Sequence, residues 1–255
     1  MAAPLRALGF TVACAVAVVC ASAPAAALRA APMSSRAAVA SRHVGGRPDP
    51  PVISRWETDE GGGFVLDLSM PHPLLKFDDS NEIWVLNPSP GPRGDVIYRN
   101  DLGEEVLRAT RLGGMTVFTS TRPDGSAAAL DGISTPLRVA ALNAEALYRR
   151  FLVATLRASR AAQHQVSFET GADAEPATAP LFADAALVTS EAFVDMASRP
   201  INKGLLARIN GVTITQGSRP NVALAKGVLT VTLVPAAGLA GRPSSRWIER
   251  AVGAR

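Results

Sequence analysis

Charged side chains are most densely spaced between Pro92 and Arg111, where polar and apolar residues alternate. Such alternation is typical of a half-buried strand. If the following strand pairs with it, several charges come to lie on one region of a sheet. The sequence therefore predicts a ligand-binding site there. Its candidate residues are Arg93, Asp95, Tyr98, Arg99, Asp101, Arg108 and Arg111.

Two chemistries and one structural alternative are open for these residues. The arginines could line a pocket for a carboxylate or a phosphate, because a guanidinium binds such groups through paired hydrogen bonds. Asp95 and Asp101 could instead act as a carboxylate acid/base pair, as in hydrolases of sugars. The structural alternative is a solvated sheet face with cross-strand ion pairs. The catalytic residues, if there are any, stay undefined.

Histidine and cysteine chemistry has little support in this sequence. His43, His72 and His164 have no ligand spacing, which argues against a histidine zinc site or a Ser-His-Asp triad. Both cysteines, Cys14 and Cys20, lie close to the N-terminus. Nucleotide-binding loops and the nucleophile motif of esterases do not occur. We therefore predict no metal and no cofactor, and we leave open whether the protein is an enzyme.

The N-terminus predicts an export signal. Met1–Arg6 carries one positive charge, Ala7–Ala21 is an uncharged apolar run, and Ala25–Ala27 supply the small residues that signal peptidase accepts. Residues 1–27 are then a signal peptide that contains both cysteines. We expect a periplasmic or secreted protein with no thiol and no transmembrane segment after the signal is removed.

Positive charge is concentrated directly after this signal. Five of the 26 basic residues precede Asp49, the first acidic residue, which leaves 21 basic and 22 acidic residues in the rest of the chain. Residues 28–50 lack the apolar periodicity needed to fold alone, so we predict a flexible basic arm. The arm is either a linker or a tether to an anionic envelope component. Nucleic acid is disfavoured as a partner, because aromatic residues are not interleaved with the basic ones.

The elements that must position these groups are strands, then helices, then strands. Alternation at Phe64–Leu68, followed by short apolar runs between glycine-containing turns, predicts a β-meander. A helix with an apolar face follows, and Pro180 begins a second one. Asp184, Glu191 and Asp195 form an acidic stripe on the second helix. This stripe either pairs with the arginines of the first helix or faces water.

The C-terminal part returns to strands. Asn210-Gly211 suits a type I′ turn, so the segments on either side of it predict a hairpin. Val228–Val234 predicts a further strand, and Ser244 or Ser245 is a candidate cap for a last short helix. For residues 51–255 we therefore predict a single α+β domain. It would consist of an antiparallel β-meander sheet with two central helices and a returning C-terminal hairpin that joins the early sheet.

The charged stretch also resembles a known family. Gly63–Asp67 and Gly241–Ser245 fit the same pattern, and the resemblance covers most of the mature chain. The family consists of uncharacterised alphaproteobacterial exported proteins described only as a domain of unknown function, so the resemblance implies no activity, cofactor or site residue. Its central motifs are Pro92-Arg93-Gly94-Asp95, Tyr98-Arg99-Asn100-Asp101, Leu107-Arg108-Ala109-Thr110 and Leu112-Gly113-Gly114.

Two functional hypotheses follow from the sequence. The first is an exported, non-catalytic periplasmic binding or envelope accessory protein, whose partner is an unknown protein or an anionic envelope component. The alternative is a hydrolase that uses the carboxylate pair near Asp95 and Asp101.

Overall fold

A nine-stranded antiparallel sheet forms the first half of the chain in a computed structural model that describes residues 50–171 and 175–254. The strands are, in chain order, β1 (Ile53–Thr58), β2 (Gly63–Asp67), β3 (Leu74–Phe77), β4 (Trp84–Val85), β5 (Asn87–Pro90), β6 (Val96–Arg99), β7 (Glu105–Ala109), β8 (Met115–Val117) and β9 (Ser126–Ile133). Their order in the sheet is β4-β3-β2-β1-β9-β8-β7-β6-β5. Two runs of sequential strands are thus joined by the pairing of β1 with β9.

The two edge strands of this sheet are consecutive in the chain. A single buried residue, Leu86, separates β4 from β5, so the sheet curls until its edges meet and is nearly a barrel. Phe64 and Leu66 of β2 point into the interior and are fully buried, as the alternating pattern predicted. Trp56 of β1 stacks on Phe64 with 6.4 Å between ring centroids. These aromatic and aliphatic side chains form the core of the first sheet.

The second half of the chain combines four helices with a separate four-stranded sheet. Short 3₁₀ turns occur at 200–202 and 235–241 in this half, and a further one occurs at 92–94, between β5 and β6. The elements are α1 (Ala144–Ala162), β10 (Ser167–Thr170), α2 (Ala179–Ser198), α3 (Lys203–Leu206), β11 (Gly211–Gln216), β12 (Asn221–Ala225), β13 (Val228–Leu233) and α4 (Ser245–Ala251). The sheet order is β10-β11-β13-β12, in which β12 is antiparallel to β13 and the other pairs are parallel.

Local sequence signals account for the two long helices. Asn143 caps α1 by accepting a hydrogen bond from the backbone N–H of Ala146 at 2.8 Å. Pro180 lies in the first turn of α2, where its missing N–H costs no helical hydrogen bond. The predicted pairing of charged stripes is present at one position, where Arg157 of α1 lies 2.6 Å from Glu191 of α2.

The nine-stranded antiparallel sheet and the helices together confirm the coarse prediction of a fold with mixed helices and a large antiparallel sheet.

The prediction that the late strands join the early sheet is wrong. β10 and β11 are separated by α2 and lie parallel to each other. Parallel neighbours need a crossover connection, usually a helix, and α2 supplies it. Because the buried side chains of this sheet, such as Val212 and Ile214, pack against the helices, they form a second core rather than extending the first.

The predicted hairpin at Asn210-Gly211 is also wrong. The apolar residues before it come from α3 and the turn that follows, where Leu206 and Ile209 are buried in the second core. The hairpin is formed by β12 and β13 instead. Its turn residues Lys226 and Gly227 have φ angles of 51° and 80°, the left-handed pair that a type I′ turn requires.

Residues 50–171 and 175–254 belong to one compact unit that contains both cores. The predicted signal peptide and all but the last residue of the predicted arm lie outside the described residues. Of the helices in the described ranges, none has the length and apolar character needed to cross a membrane.

Candidate functional site

A cleft of about 750 Å³ lies where the nine-stranded sheet meets α2 and α4. The sheet contributes the β3–β4 connection, the β6–β7 turn and the β8–β9 connection, while the helices contribute the C-terminal half of α2 and most of α4. This volume is within the range of small-molecule sites. The ionisable side chains that line the cleft are Asp79, Glu82, Glu104, Glu105, Glu191, Asp195, Arg199, Arg246, Glu249 and Arg250.

Aromatic side chains line the sheet side of the cleft. Phe77 and Trp84 pack edge to face, with 6.4 Å between ring centroids and 90° between ring planes. Phe118 lines the cleft as well, and the guanidinium of Arg108 lies 5.7 Å from its ring centroid. The cleft thus combines apolar ring surface on the sheet wall with ionised groups on both walls.

Glu249 of α4 is the most deeply buried carboxylate on the helical wall, with 4% of the residue exposed. Its Oε2 lies 3.5 Å from Nη1 of Arg199 and 3.4 Å from Nη1 of Arg246. Its Oε1 is shielded from solvent and accepts no hydrogen bond from any residue that the structure describes. Burial raises the pKa of Glu249 and the charge of Asp195 raises it further, whereas the two arginines lower it.

Asp195 of α2 is half-buried on the same wall. Burial raises its pKa, and the neighbouring charges of Glu191 and Asp79 add to this effect, while Arg246 and Arg199 oppose it. Carboxylates from the sheet and from both helices are therefore close enough to repel one another across the cleft.

A buried ion cluster around Arg242 lies against the cleft. Arg242 donates from Nη1 to Oε1 of Glu82 at 3.2 Å and from Nη2 to the carbonyl oxygen of Ile83 at 2.7 Å. Its Nε lies 2.5 Å from Oδ2 of Asp184 on α2, a close ion pair whose atoms are not aligned for a hydrogen bond. Burial raises the pKa of Glu82 to about 6 even though Arg242 favours the ionised form. This cluster, Arg242 with Glu82 and Asp184, joins the first sheet to α2.

The structure places Asp95 and Asp101 on either side of β6, which does not favour the predicted acid/base pair. The four residues of β6 lie between them and span about 13 Å. The carboxyl groups of glycoside hydrolases lie about 5–10 Å apart. The hydrolase hypothesis based on these two residues therefore has no geometric basis.

Of the remaining predicted site residues, Tyr98, Arg99 and Arg108 lie on the sheet, and Arg93 and Arg111 lie in the turns before β6 and after β7. None of the five lines the cleft. Tyr98 is buried in the first core. Arg99 donates to the carbonyl oxygen of Gly103 at 2.9 Å, and Arg108 forms an ion pair of 2.8 Å with Glu105. These contacts are those of a sheet face with local pairs and not of a common pocket. The two remaining residues, both exposed, are Arg93 and Arg111.

Asp101 has a structural contact that the sequence did not reveal. Its Oδ1 accepts a hydrogen bond from the hydroxyl of Ser244 at 2.6 Å and its Oδ2 accepts one from the Ser244 N–H at 2.8 Å. Ser244 in turn caps α4 by accepting from the N–H of Trp247 at 3.1 Å. Asp101 thus fixes the start of the helix that carries Glu249.

Replacing Asp101 by alanine is expected to lower the free energy of unfolding by about 2 kcal/mol, because both hydrogen bonds to a charged acceptor are lost. Urea denaturation measures this change. Asp95→Ala is the matched control and is expected to stay within about 0.5 kcal/mol of the unaltered protein. Equal effects of the two substitutions would contradict the structural role of Asp101.

The lining residues were missed by sequence reasoning because they come from distant parts of the chain. Asp79 and Glu249 face the same cleft although 170 residues separate them. The only local signal was the concentration of charge around Trp247 in α4, which a short surface helix also shows. In the ranges 50–171 and 175–254, no group of three or more His, Cys, Asp or Glu side chains could hold a metal ion.

The fold and the cleft define a two-sheet protein of helices and strands with an acidic cleft at the junction of the first sheet and the helices. Residues 34–252 match the family described as Domain of unknown function (DUF4908), and the chain belongs to this family. Comparisons with curated proteins and with solved structures gave no match. The expected resemblance to a domain of unknown function is therefore confirmed, and the family assigns no activity to any residue.

Proposed function

We propose that this protein is exported by its N-terminal signal and binds a small polar ligand in the cleft without catalysing a reaction. The observation that carries the binding proposal is a pair of carboxylates, Asp79 and Asp195, which line the cleft from opposite walls and have no ion-pair partner within 4.0 Å among the described residues. Hydrogen bonds to charged groups contribute about 1.5–3 kcal/mol. A ligand with suitably placed donors gains such bonds on binding.

Binding is favoured over hydrolysis by the state of the carboxylates in the cleft. Glu104 pairs with Arg250, and Glu249 lies between two arginines. Such pairs fix the orientation of the carboxylates, which suits recognition. A hydrolase would instead need a free acid and a free base, and of the seven carboxylates that line the cleft in the described residues only Asp79 and Asp195 have no ion-pair partner.

The proposed location is the periplasm, and it is supported by the charged start, the apolar run and the small residues of positions 1–27. In this proposal the basic residues of 28–50 bring the protein to an anionic envelope component, and a protein partner is the other candidate. The cleft then binds, in that compartment, a ligand that diffuses to it.

Nuclear magnetic resonance tests the proposal on ¹⁵N-labelled protein recovered from the periplasmic fraction of an expression host. The mass of the recovered protein is expected to correspond to a chain that begins at Leu28. Spermidine, maltose and citrate serve as cationic, neutral and anionic probes. At least one of them is expected to shift amide resonances of residues that line the cleft.

A pair of tryptophan variants locates the binding site. Ser120→Trp fills the rim of the cleft and is expected to abolish the shifts, whereas Ser218→Trp, in the exposed β11–β12 loop, is expected to leave them unchanged. If none of the three probes shifts a cleft resonance, the binding function is wrong. A mass that includes the first 27 residues would contradict export.

A further inference from the structure

We infer that the ligand of this cleft carries ammonium or guanidinium groups on an apolar stem, an inference that rests on the proposed binding function. Among the described residues, seven carboxylates and three arginines line the cleft, a formal charge of −4. Three further arginines, Arg108, Arg157 and Arg242, each pair with one of these carboxylates from outside the lining and reduce the excess to −1. Within the part of the chain that the structure describes, the formal charge of the cleft stays negative even when each guanidinium that pairs with a lining carboxylate is counted.

The excess charge is located on two particular residues. Among the described residues, Asp79 and Asp195 have no ion-pair partner within 4.0 Å, whereas each of the other five carboxylates has at least one. Asp79 comes from the β3–β4 connection and Asp195 from α2, so they approach the cleft from opposite walls. The charge of Asp79 contributes to the raised pKa of Asp195, which a cation between the two carboxylates would offset.

The donors and the charge of the ligand follow from these two carboxylates. Glu249, more than nine-tenths buried, holds Arg199 and Arg246 on the helical wall, and its Oε1 is shielded from solvent, so Glu249 supports the wall and is not itself a contact for a ligand. An ammonium or a guanidinium offers several N–H donors to Asp79 and Asp195 and the opposite charge at once.

The aromatic wall explains why the cation should carry an apolar stem. The rings of Phe77, Trp84 and Phe118 line the side opposite the helical carboxylates. Methylene groups pack on such rings, and a cation is attracted to their faces. Phe118 already takes part in one cation contact, with Arg108 from outside the lining.

Two sources supply this chemistry, namely free polyamines and the lysine or arginine side chains of a peptide. Isothermal titration calorimetry on the mature protein in 0.05 M salt compares spermidine with triacetylspermidine, which keeps the stem and lacks the charges. It also compares the peptide Lys-Lys-Lys with its side-chain-acetylated form. We expect each charged probe that binds to bind at least tenfold more tightly than its acetylated counterpart, and the tighter of the two charged probes identifies the source.

Variants of the two carboxylates without ion pairs assign the binding to the cleft. Asp79→Asn combined with Asp195→Asn is expected to weaken the binding of the charged probe at least tenfold. Glu169→Gln is the matched control, because it removes one exposed carboxylate from β10, outside the cleft, and should change affinity less than twofold. Circular dichroism checks that the double variant is folded, and Asp79→Asn alone, at an exposed position, is expected to weaken binding severalfold.

The outcomes separate this inference from the function on which it rests. Equal affinity for spermidine and triacetylspermidine overturns the ligand class, and so does an unchanged affinity in the double variant. If neither charged probe binds while maltose or citrate still shifts cleft resonances, the cleft is a binding site for another class of ligand. If no probe of any class affects the cleft, both the inference and the proposed function fail.

Discussion

Replacement of Arg242 by methionine is expected to lower the free energy of unfolding by about 3–5 kcal/mol, the largest effect predicted for any single substitution in this protein. The side chain of Arg242 is 2% exposed and lies between Glu82 and Asp184, which are 1% and 9% exposed. Methionine fills a similar volume but leaves both carboxylates buried without a cation. It also removes the donors to the carbonyl oxygens of Ile83 and Pro243.

Thermal unfolding followed by circular dichroism measures the effect of Arg242→Met. For a domain of this size the loss corresponds to a decrease in Tm of roughly 6–20 °C. Arg250→Met is the matched control, because Arg250 pairs with Glu104 at side-chain exposures of 59% and 44%. Such an exposed pair contributes at most about 1 kcal/mol.

A compensating variant distinguishes lost charge pairing from lost packing. When Glu82→Gln and Asp184→Asn are added to Arg242→Met, no uncompensated charge remains in the cluster. Part of the lost stability is then expected to return, because burying a neutral amide costs less than burying an unpaired carboxylate. If Arg242→Met is no more destabilising than Arg250→Met, the cluster does not join the first sheet to α2 in the way described.

The free energy of unfolding is expected to fall by about 1–2 kcal/mol when the pH rises from 5 to 7.5, because Glu82 of the Arg242 cluster loses a proton over this range. Burial raises the pKa of Glu82 from 4.5 in the unfolded chain to about 6 in the folded protein. The folded state therefore binds more protons than the unfolded state between these two values. The stabilising contribution of protonated Glu82 is complete below pH 4.5 and is lost as the pH rises through 6.

Other buried carboxylates act in the same direction. Burial raises the pKa of Asp184, Asp195 and Glu249 as well. Asp78 has the opposite behaviour, since its hydrogen bond to Arg55 lowers its pKa, and its contribution is lost only in more acidic solution as the pH falls through its folded pKa. The window from pH 5 to 7.5 therefore reports mainly on the carboxylates whose pKa is raised.

Urea denaturation at several pH values measures this dependence. Glu82→Gln removes the titrating group while keeping an acceptor for the Ser245 N–H, so it is expected to reduce the slope between pH 5 and 7.5. Glu169→Gln, at an exposed position, is expected to leave the slope unchanged. A protein whose stability rises with pH across this window would contradict the assignment.

Local structure could be predicted from the sequence wherever burial follows a short period. Phe64 and Leu66 alternate because successive strand residues point to opposite faces. The predicted apolar face of α2 is also buried, although burial of this helix extends well beyond one face. Ser244 and Pro180 marked helix starts, since a cap and a missing N–H act within one turn. The motifs around Pro92–Arg111 were enough to indicate the family, but not a site.

Only the tertiary structure decided which elements pack together and what the charged groups do. Periodicity shows that a strand is buried but not which strand it pairs with, so the C-terminal strands were assigned to the wrong sheet. Arg242 and Glu82 lie 160 residues apart, and Asp101 meets Ser244 across 143 residues. Such contacts depend on long-range packing that no local pattern encodes. Hence the sequence placed the chemistry at Asp95 and Asp101, whereas folding places the acidic cleft at Asp79, Asp195 and Glu249.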